Sequence, residues 1–233
     1  MTDISTPWQL IFQQIGGKRH DFAQGPLELT ANSIKAILKS HSGLSQTQKE
    51  PRILCTQTTR EMRPSVFKEK GLFILPIVNG AYAIIKGEGY VDIPEITSPL
   101  LTHPNQLNYA LESSLVGDSE MQHLDFAFAT GLTQNFAEDD SIRLTIRGRK
   151  YTPAFSFNVG RSHIKQKGVQ TEVDAGYEGR NQVILIEAKN AKTKNIIIRQ
   201  LYYPYRKWRQ ETSKDVSSLF FEKRNSEYHV WHY

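Results

Sequence analysis

Apolar residues recur along the first third of the chain with a helical period. Trp8, Ile11, Phe12 and Ile15 fall on one face, with Thr6 as N-cap, Gln9 at the capping-box position and Pro7 at the first helical residue. Gly16-Gly17 stops that helix. A second helix is predicted after Thr30, with Ile34, Ile37 and Leu38 inward and an end near Gly43. Residues 42–52 are polar and read as a loop, and the polar run from Ile53 to Arg63 either approaches phosphates or is ordinary surface. Leu72 to Val78 and Ala81 to Ile85 are β-prone runs joined by Asn79-Gly80, the strongest short hairpin signal. Pro76 cannot donate to a ladder, so the first of these strands lies at an edge or bulges there.

Pro94, Pro99 and Pro104 punctuate the next segment and set a boundary between an N-terminal region, 1–95, and a C-terminal domain, 96–233. Residues 105–116 and 120–136 are predicted helices. Leu107, Ala110, Leu111 and Leu115 share a face of the first, and Leu124, Phe126, Phe128 and Leu132 make the second apolar. Ile142 to Ile146 alternates with Arg143 and Thr145 as a half-buried strand does. Gly148-Arg149-Lys150 predicts a turn, and Ala154-Phe155-Ser156-Phe157 begins another strand. Gln170 to Asn190 reads as two strands with Gly179, Arg180 and Asn181 at the turn. Ile196, Ile197, Leu201, Tyr205 and Trp208 follow at helical spacing, and Pro204 kinks that helix or starts its second part. Leu219-Phe220-Phe221 and Tyr228-Val230-Trp231 predict closing strands. The chain therefore reads as α/β.

Charges in the Gln170–Asn190 hairpin add chemistry to this outline. An antiparallel fold there places Asp174 opposite Glu187 and Glu172 near Lys189. Two carboxylates about 5 Å apart repel by roughly 3 kcal/mol at an effective dielectric near 20, and like charges facing across a sheet destabilise it. A shared proton, a cation or a neighbouring Lys must relieve that repulsion. A hard divalent ion such as Mg²⁺ does so best, because it takes carboxylate oxygens. Val183, Ile184, Leu185 and Ile186 are apolar on both faces, which marks an interior strand, and polarity switches at Glu187.

Val173-Asp174, followed after the turn by Ile184-Leu185-Ile186-Glu187-Ala188-Lys189, resembles the PD-(D/E)xK nuclease signature, with Val173 where the family name has Pro. The wider run, Gln170 to Lys189 and then Ile198 to Arg206, is similar to a group of type II restriction endonucleases. The resemblance implies a restriction-endonuclease-like core, a mixed central sheet flanked by helices, built as helix, three to four strands, helix, strand. It implies Asp174 and Glu187 as Mg²⁺ ligands, the Ala188 carbonyl as a further one, and Lys189 assisting the attacking water. Glu172 and Gln170 would support these from behind. Glu112 and Asp125 are candidates for an additional acid lent by the preceding helical region. DNA contacts fall on Arg147, Arg149, Lys150, Arg199, Gln200 and Arg206, although the basic face carrying Arg199 and Arg206 reads equally as solvated. A homodimer, a companion DNA methyltransferase and a cytoplasmic setting follow from the same resemblance. The N-terminal helices and hairpin resemble a winged helix-turn-helix, a DNA-reading module, without an evident third helix. The chain ends on an apolar strand with no polar tail, as in a form shorter than its relatives.

Composition narrows the partners. A length of 233 residues with 39% hydrophobic and 23% charged content is that of a soluble globular protein with ample core. No apolar run approaches the roughly 18–20 residues that span a membrane, and the N-terminus lacks a signal-peptide pattern. The lone Cys55 excludes an internal disulfide and a multi-cysteine zinc site, and it suits an intracellular setting. Net charge is only +5, but it is unevenly spread. No acid lies between Asp140 and Glu172, while Arg143, Arg147, Arg149, Lys150, Arg161, Lys165 and Lys167 all do, the layout of a protein that meets a polyanion. A Gly-rich phosphate loop, a dinucleotide fingerprint and a Gly-x-Ser-x-Gly elbow are absent from the sequence, and His229 and His232 lie in strand-like sequence unsuited to a metal pair. The expectation is a Mg²⁺-dependent type II restriction endonuclease acting on double-stranded DNA. The rivals are a repair or recombination nuclease on the same fold and a non-catalytic DNA-binding regulator.

Overall fold

The structure, a computed structural model, describes residues 3–233; the side chain of Leu115, with the inward position expected of it, also lies outside the described residues. In chain order the elements are α1 (Ser5–Gln14), β1 (Leu27–Thr30), α2 (Ala31–Lys39), α3 (Pro51–Cys55), α4 (Ser65–Lys70), β2 (Leu72–Val78), β3 (Ala81–Lys86) and β4 (Tyr90–Asp92). Then come α5 (Glu120–Ala129), α6 (Leu132–Ala137), β5 (Arg143–Tyr151), β6 (Phe155–Val159), β7 (Ser162–Gln166), β8 (Gln170–Glu178) and β9 (Gln182–Lys189). The chain closes with β10 (Asn195–Ile197), α7 (Arg199–Glu211), β11 (Asp215–Arg224) and β12 (Glu227–His232). This is a mixed α/β protein in two compact units: residues up to Val91 with Tyr151–Gln170 and Asn195–Ile198, and Asp92–Lys150 with Thr171–Lys194 and Arg199–Tyr233.

The first unit is built on a three-stranded sheet in the order β1-β3-β2. Side chains alternate faces along a strand, so apolar strands can serve two cores at once. Leu72, Ile74 and Ile84 join Trp8, Phe12, Ile34, Leu38, Leu54 and Phe67 from the helices. Phe73, Leu75, Ala83 and Ile85 turn the other way, to Ile164 of β7, Ile197 of β10 and the half-buried Phe157 and Val159 of β6. Both readings of Pro76 hold: β2 is an edge strand, and its register to β3 shifts between Pro76 and Val78.

Several elements of this unit differ from expectation. α1 begins at Ser5 with Ile4, not Thr6, at its N-cap; the preceding Asp3 carboxylate accepts from the Ser5 amide and the Thr6 hydroxyl, each at 2.8 Å. Thr30 does cap α2, in a reciprocal box with Ser33. Residues 42–52 are not all loop, since Pro51 opens α3. After α3 a further helix, α4, is only six residues long and ends on Gly71 at a φ of 63°. Its brevity hid its period. Ile196 and Ile197 belong to β10 rather than to a helix, because both are buried in a strand paired with β4.

The second unit holds a five-stranded sheet in the order β12-β11-β9-β8-β5, with β8 antiparallel to β9 and β11 parallel to it. Leu124 and Ala127 of α5 cover one face with Ala175, Tyr177, Ile184, Ile186, Leu219 and Phe221. On the other, Trp208 of α7 packs on Ile146, Val173, Val183 and Leu185. The predicted helix over 105–116 is instead irregular, with one 3-10 turn at Glu112–Leu115. Local polar groups take its backbone there: Asn105 accepts from the Leu107 amide at 2.9 Å and the Ser114 hydroxyl donates to the Leu111 carbonyl at 2.5 Å. The helix predicted over 120–136 breaks at Gly131, whose φ of 83° divides α5 from α6. β5 runs straight through the expected turn at 148–150, with Gly148 at a φ of 78°. Among the described residues no helix is long and apolar enough to cross a membrane.

Candidate active site

The last residues of β9 carry the chemistry. Val183 to Ala188 are buried in the middle of the sheet, so the strand delivers Glu187 and Lys189 from a fixed base. The ladder between β8 and β9 pairs Ala175 with Ile186 and goes no further. Continued by one residue, that register would set Asp174 against Glu187, as the sequence suggests. Instead the strand turns at this point: Ala175 packs toward α5, while Val173, two residues away, packs toward α7. The freed Asp174 carboxylate accepts the Ala188 amide at 2.8 Å.

Lys189 lies among the acids. Its ammonium donates to Glu187 Oε1 at 2.5 Å and to the Ala188 carbonyl at 2.7 Å, and stands 3.8 Å from Glu120 Oε1. Glu120 is the first residue of α5, whose N-cap is Ser119. Gln200, in the first turn of α7, donates its amide to Glu187 Oε1, and its own Oε1 is buried with no partner among the described residues. Burial raises the Glu187 carboxyl to about 7, with the Asp174 and Glu120 charges adding to the rise against the pull of Lys189. Burial likewise raises Asp174 and Glu120. Burial would lower Lys189, but the carboxylates of Glu187, Glu120 and Asp174 override it and hold the ammonium above its ordinary value.

Other residues singled out in the sequence are placed differently. Glu172 is exposed and pairs with Arg149 at 3.4 Å, not with Lys189. Gln170 is exposed at the start of β8. Arg147 is held by Asp125 through two hydrogen bonds, the shorter 2.5 Å, so Asp125 serves a cation. Glu112 is exposed in the 3-10 turn, and Lys150 is exposed on β5. Gln200 contacts Glu187 and therefore supports the acid cluster rather than standing as a free nucleic-acid contact. Arg206 donates to the Tyr202 hydroxyl at 2.7 Å, with its guanidinium over that ring, and Arg199 is half-buried at the start of α7. Glu120 is not among the candidates that the sequence pattern singles out. Asp118-Ser119-Glu120, an N-cap followed by an acid, was the signal that could have found it.

The family model described as Domain of unknown function (DUF6997) matches residues 85–233, a span that includes Glu120, Asp174, Glu187 and Lys189. The chain belongs to the DUF6997 family. A second model, Domain of unknown function (DUF6996), matches residues 5–84. No curated protein and no solved structure matches the chain.

Among the described residues of this DUF6997 chain, no group of three or more His, Cys, Asp or Glu side chains is arranged to hold a metal ion. The donors at the end of β9 nevertheless suit a hard cation by their chemistry. Asp174, Glu187, the Ala188 carbonyl and the Gln200 Oε1, which has no partner among the described residues, are all oxygens, and burial raises both carboxyls. In this arrangement the Lys189 ammonium is the cation that Glu187 and Ala188 receive. A divalent ion would therefore need that ammonium to move aside.

Proposed function

We propose that this chain is a Mg²⁺-dependent endonuclease that hydrolyses double-stranded DNA, of the type II restriction kind. The observation that carries the reading is the meeting of Asp174, Glu187 and Lys189 at the end of one buried strand. The order of elements supports it. Helices α5 and α6 precede β5, β8 and β9, and α7 then leads to β11 beside and parallel to β9, the order the PD-(D/E)xK resemblance implies. In the first unit α4 supplies a helix before β2 and β3, in keeping with a winged-helix-like module.

Asp174 and Glu187 would hold the metal, with the Ala188 carbonyl beside them. Bound there, Mg²⁺ would polarise the phosphate and lower the pKa of a water. Lys189 stays charged, because its surroundings raise its pKa, so it acts as a donor that orients an oxygen and not as a base. Burial raises Glu187 to about 7 in the metal-free site, so Mg²⁺ bound there would displace a proton from it. Gln200 fixes the Glu187 carboxylate from α7. A cytoplasmic location accords with a DNA substrate.

Plasmid digestion with and without Mg²⁺ tests the reading, using wild type, Asp174→Ala and Asp174→Asn, with the cut ends mapped. Discrete ends made only by wild type with Mg²⁺ are expected. Cutting of branched or nicked DNA without sequence preference would instead favour a repair nuclease. The pairing of Lys189 with Glu187 favours a second reading, a non-catalytic DNA-binding regulator, in which the ammonium permanently neutralises the acids. Intact plasmid under all conditions, with DNA still bound, would select it.

A further inference from the structure

The ribbon β6–β7 carries charges that the acid cluster does not use. Its register pairs Phe157 with Ile164 and Val159 with Ser162 on one face, and Ser156 with Lys165 and Asn158 with His163 on the other. The first face is packed: Ile164 is buried with Phe73, Leu75, Ala83 and Ile85, and Phe157 and Val159 lean on the same core. At the base of the ribbon, the buried Gln166 accepts from the Thr152 hydroxyl at 2.6 Å and donates to the Pro153 carbonyl at 2.9 Å. The second face is open. Ser156, Asn158, His163 and Lys165 are exposed, as are Arg161 at the turn and Lys167 just past the strand.

Arg161, Lys165 and Lys167 have no acidic partner among the described residues, and no acid occurs between Asp140 and Glu172. From Arg161 to Lys167 the strand rise covers roughly 20 Å. A cleft of about 520 Å³ adjoins this face, lined by Lys165, Lys167, Ser156 and Phe155 together with Val78 and the single acid Glu28. A rigid two-stranded ribbon is one of the shapes that the DNA major groove admits. The exposed face also combines two functions: cations for phosphates, and Asn158 and His163, whose Oδ1 and Nδ1 meet at 2.8 Å, leaving the Asn158 amide nitrogen and His163 Nε2 for base edges.

We propose that the open face of β6–β7 is a docking surface for double-stranded DNA, with Arg161, Lys165 and Lys167 on phosphates and Asn158 and His163 toward the bases. The choice of DNA as ligand rests on the nuclease reading, but the ribbon's charge and packing do not. The test is fluorescence anisotropy on a labelled mixed-sequence duplex in EDTA, over a salt series. The proteins are wild type, Arg161→Gln/Lys165→Gln/Lys167→Gln, and its charge-preserving counterpart Arg161→Lys/Lys165→Arg/Lys167→Arg.

Loss of three phosphate contacts should reduce the slope of log affinity against log salt by about 3 and weaken binding at low salt at least about tenfold. The charge-preserving variant should bind as wild type does. A neutralised variant with the wild-type slope, or a wild type whose binding ignores salt, would overturn the docking surface. So would an RNA duplex or poly-glutamate held as tightly through the same three cations. A plasmid left whole by wild type, alongside the expected loss of slope, sinks the nuclease and leaves the ribbon standing. Cleavage by wild type with no change of slope in the neutralised variant does the reverse.

Discussion

Two antiparallel hairpins, β6–β7 and β8–β9, present charge in opposite ways. In β8–β9 the charges sit at the end of a strand buried on both faces, where removal from water raises the carboxyls of Asp174 and Glu187. In β6–β7 the charges alternate outward from a packed face and keep their hydration. Buried charges interact strongly at short range and must be answered by a proton or a cation. Exposed ones act over about 8 Å at physiological salt and cost the fold little. Sequence alone puts the cations of 143–167 in one basic stretch; the structure divides them. Arg147 and Arg149 are matched by Asp125 and Glu172, whereas Arg161, Lys165 and Lys167 face solvent with no acidic partner among the described residues.

The contrast is broken most forcefully at Asp174. Asp174→Ala is expected to reduce Mg²⁺-dependent plasmid cleavage by a factor on the order of a hundred to a thousand, as loss of one charge-stabilising group does elsewhere. Asp174→Asn guards against misfolding, because its side-chain oxygen still accepts the Ala188 amide. Equal cleavage by either variant and wild type would remove Asp174 from the site.

Glu187 gives the next largest effect, through pH. A carboxyl raised from its ordinary 4.5 to about 7 binds its proton more tightly when folded. Its contribution to stability is therefore complete below 4.5 and withdrawn as pH climbs through 7, a change of about 3 kcal/mol at most. Urea unfolding of wild type and Glu187→Gln between pH 4.5 and 8 should show a difference that shifts steadily in favour of the variant. A constant difference across that range would mean that Glu187 is not raised.

How much of this was legible in the sequence depends on the range of the interactions. The β8–β9 hairpin, its turn at Gly179–Asn181 and the interior character of Val183–Ile186 follow from local pattern and reappear in the structure. The turn of β8 at Asp174 does not, because it depends on which core Val173 and Ala175 each enter. Glu120 shows in the sequence as an acid at a helix start, but its link to Lys189 does not, because it reaches across from another element. β1 and α4 were too short to show a period, and β7 alternates only where neither reading of Ser162 or Gln166 signals burial. Gln166 is buried because Thr152 and Pro153 satisfy it, a fact that no hydropathy pattern contains.

That anchor supplies a smaller prediction. Gln166→Leu keeps the bulk but leaves the Thr152 hydroxyl and the Pro153 carbonyl without their partner, at a cost of about 1–3 kcal/mol in urea unfolding. A stability equal to wild type would mean that water replaces the amide there.

The smallest effect distinguishes the hairpins most sharply. Arg161, Lys165 and Lys167 bury little and pair with no acid among the described residues, so neutralising all three should change folding stability by less than about 0.5 kcal/mol. If anything, relief of mutual repulsion should raise it slightly at low salt. Thermal melting at low and high salt checks this. A large destabilisation would show that these cations serve the fold, and their freedom to meet a polyanion would then have no basis.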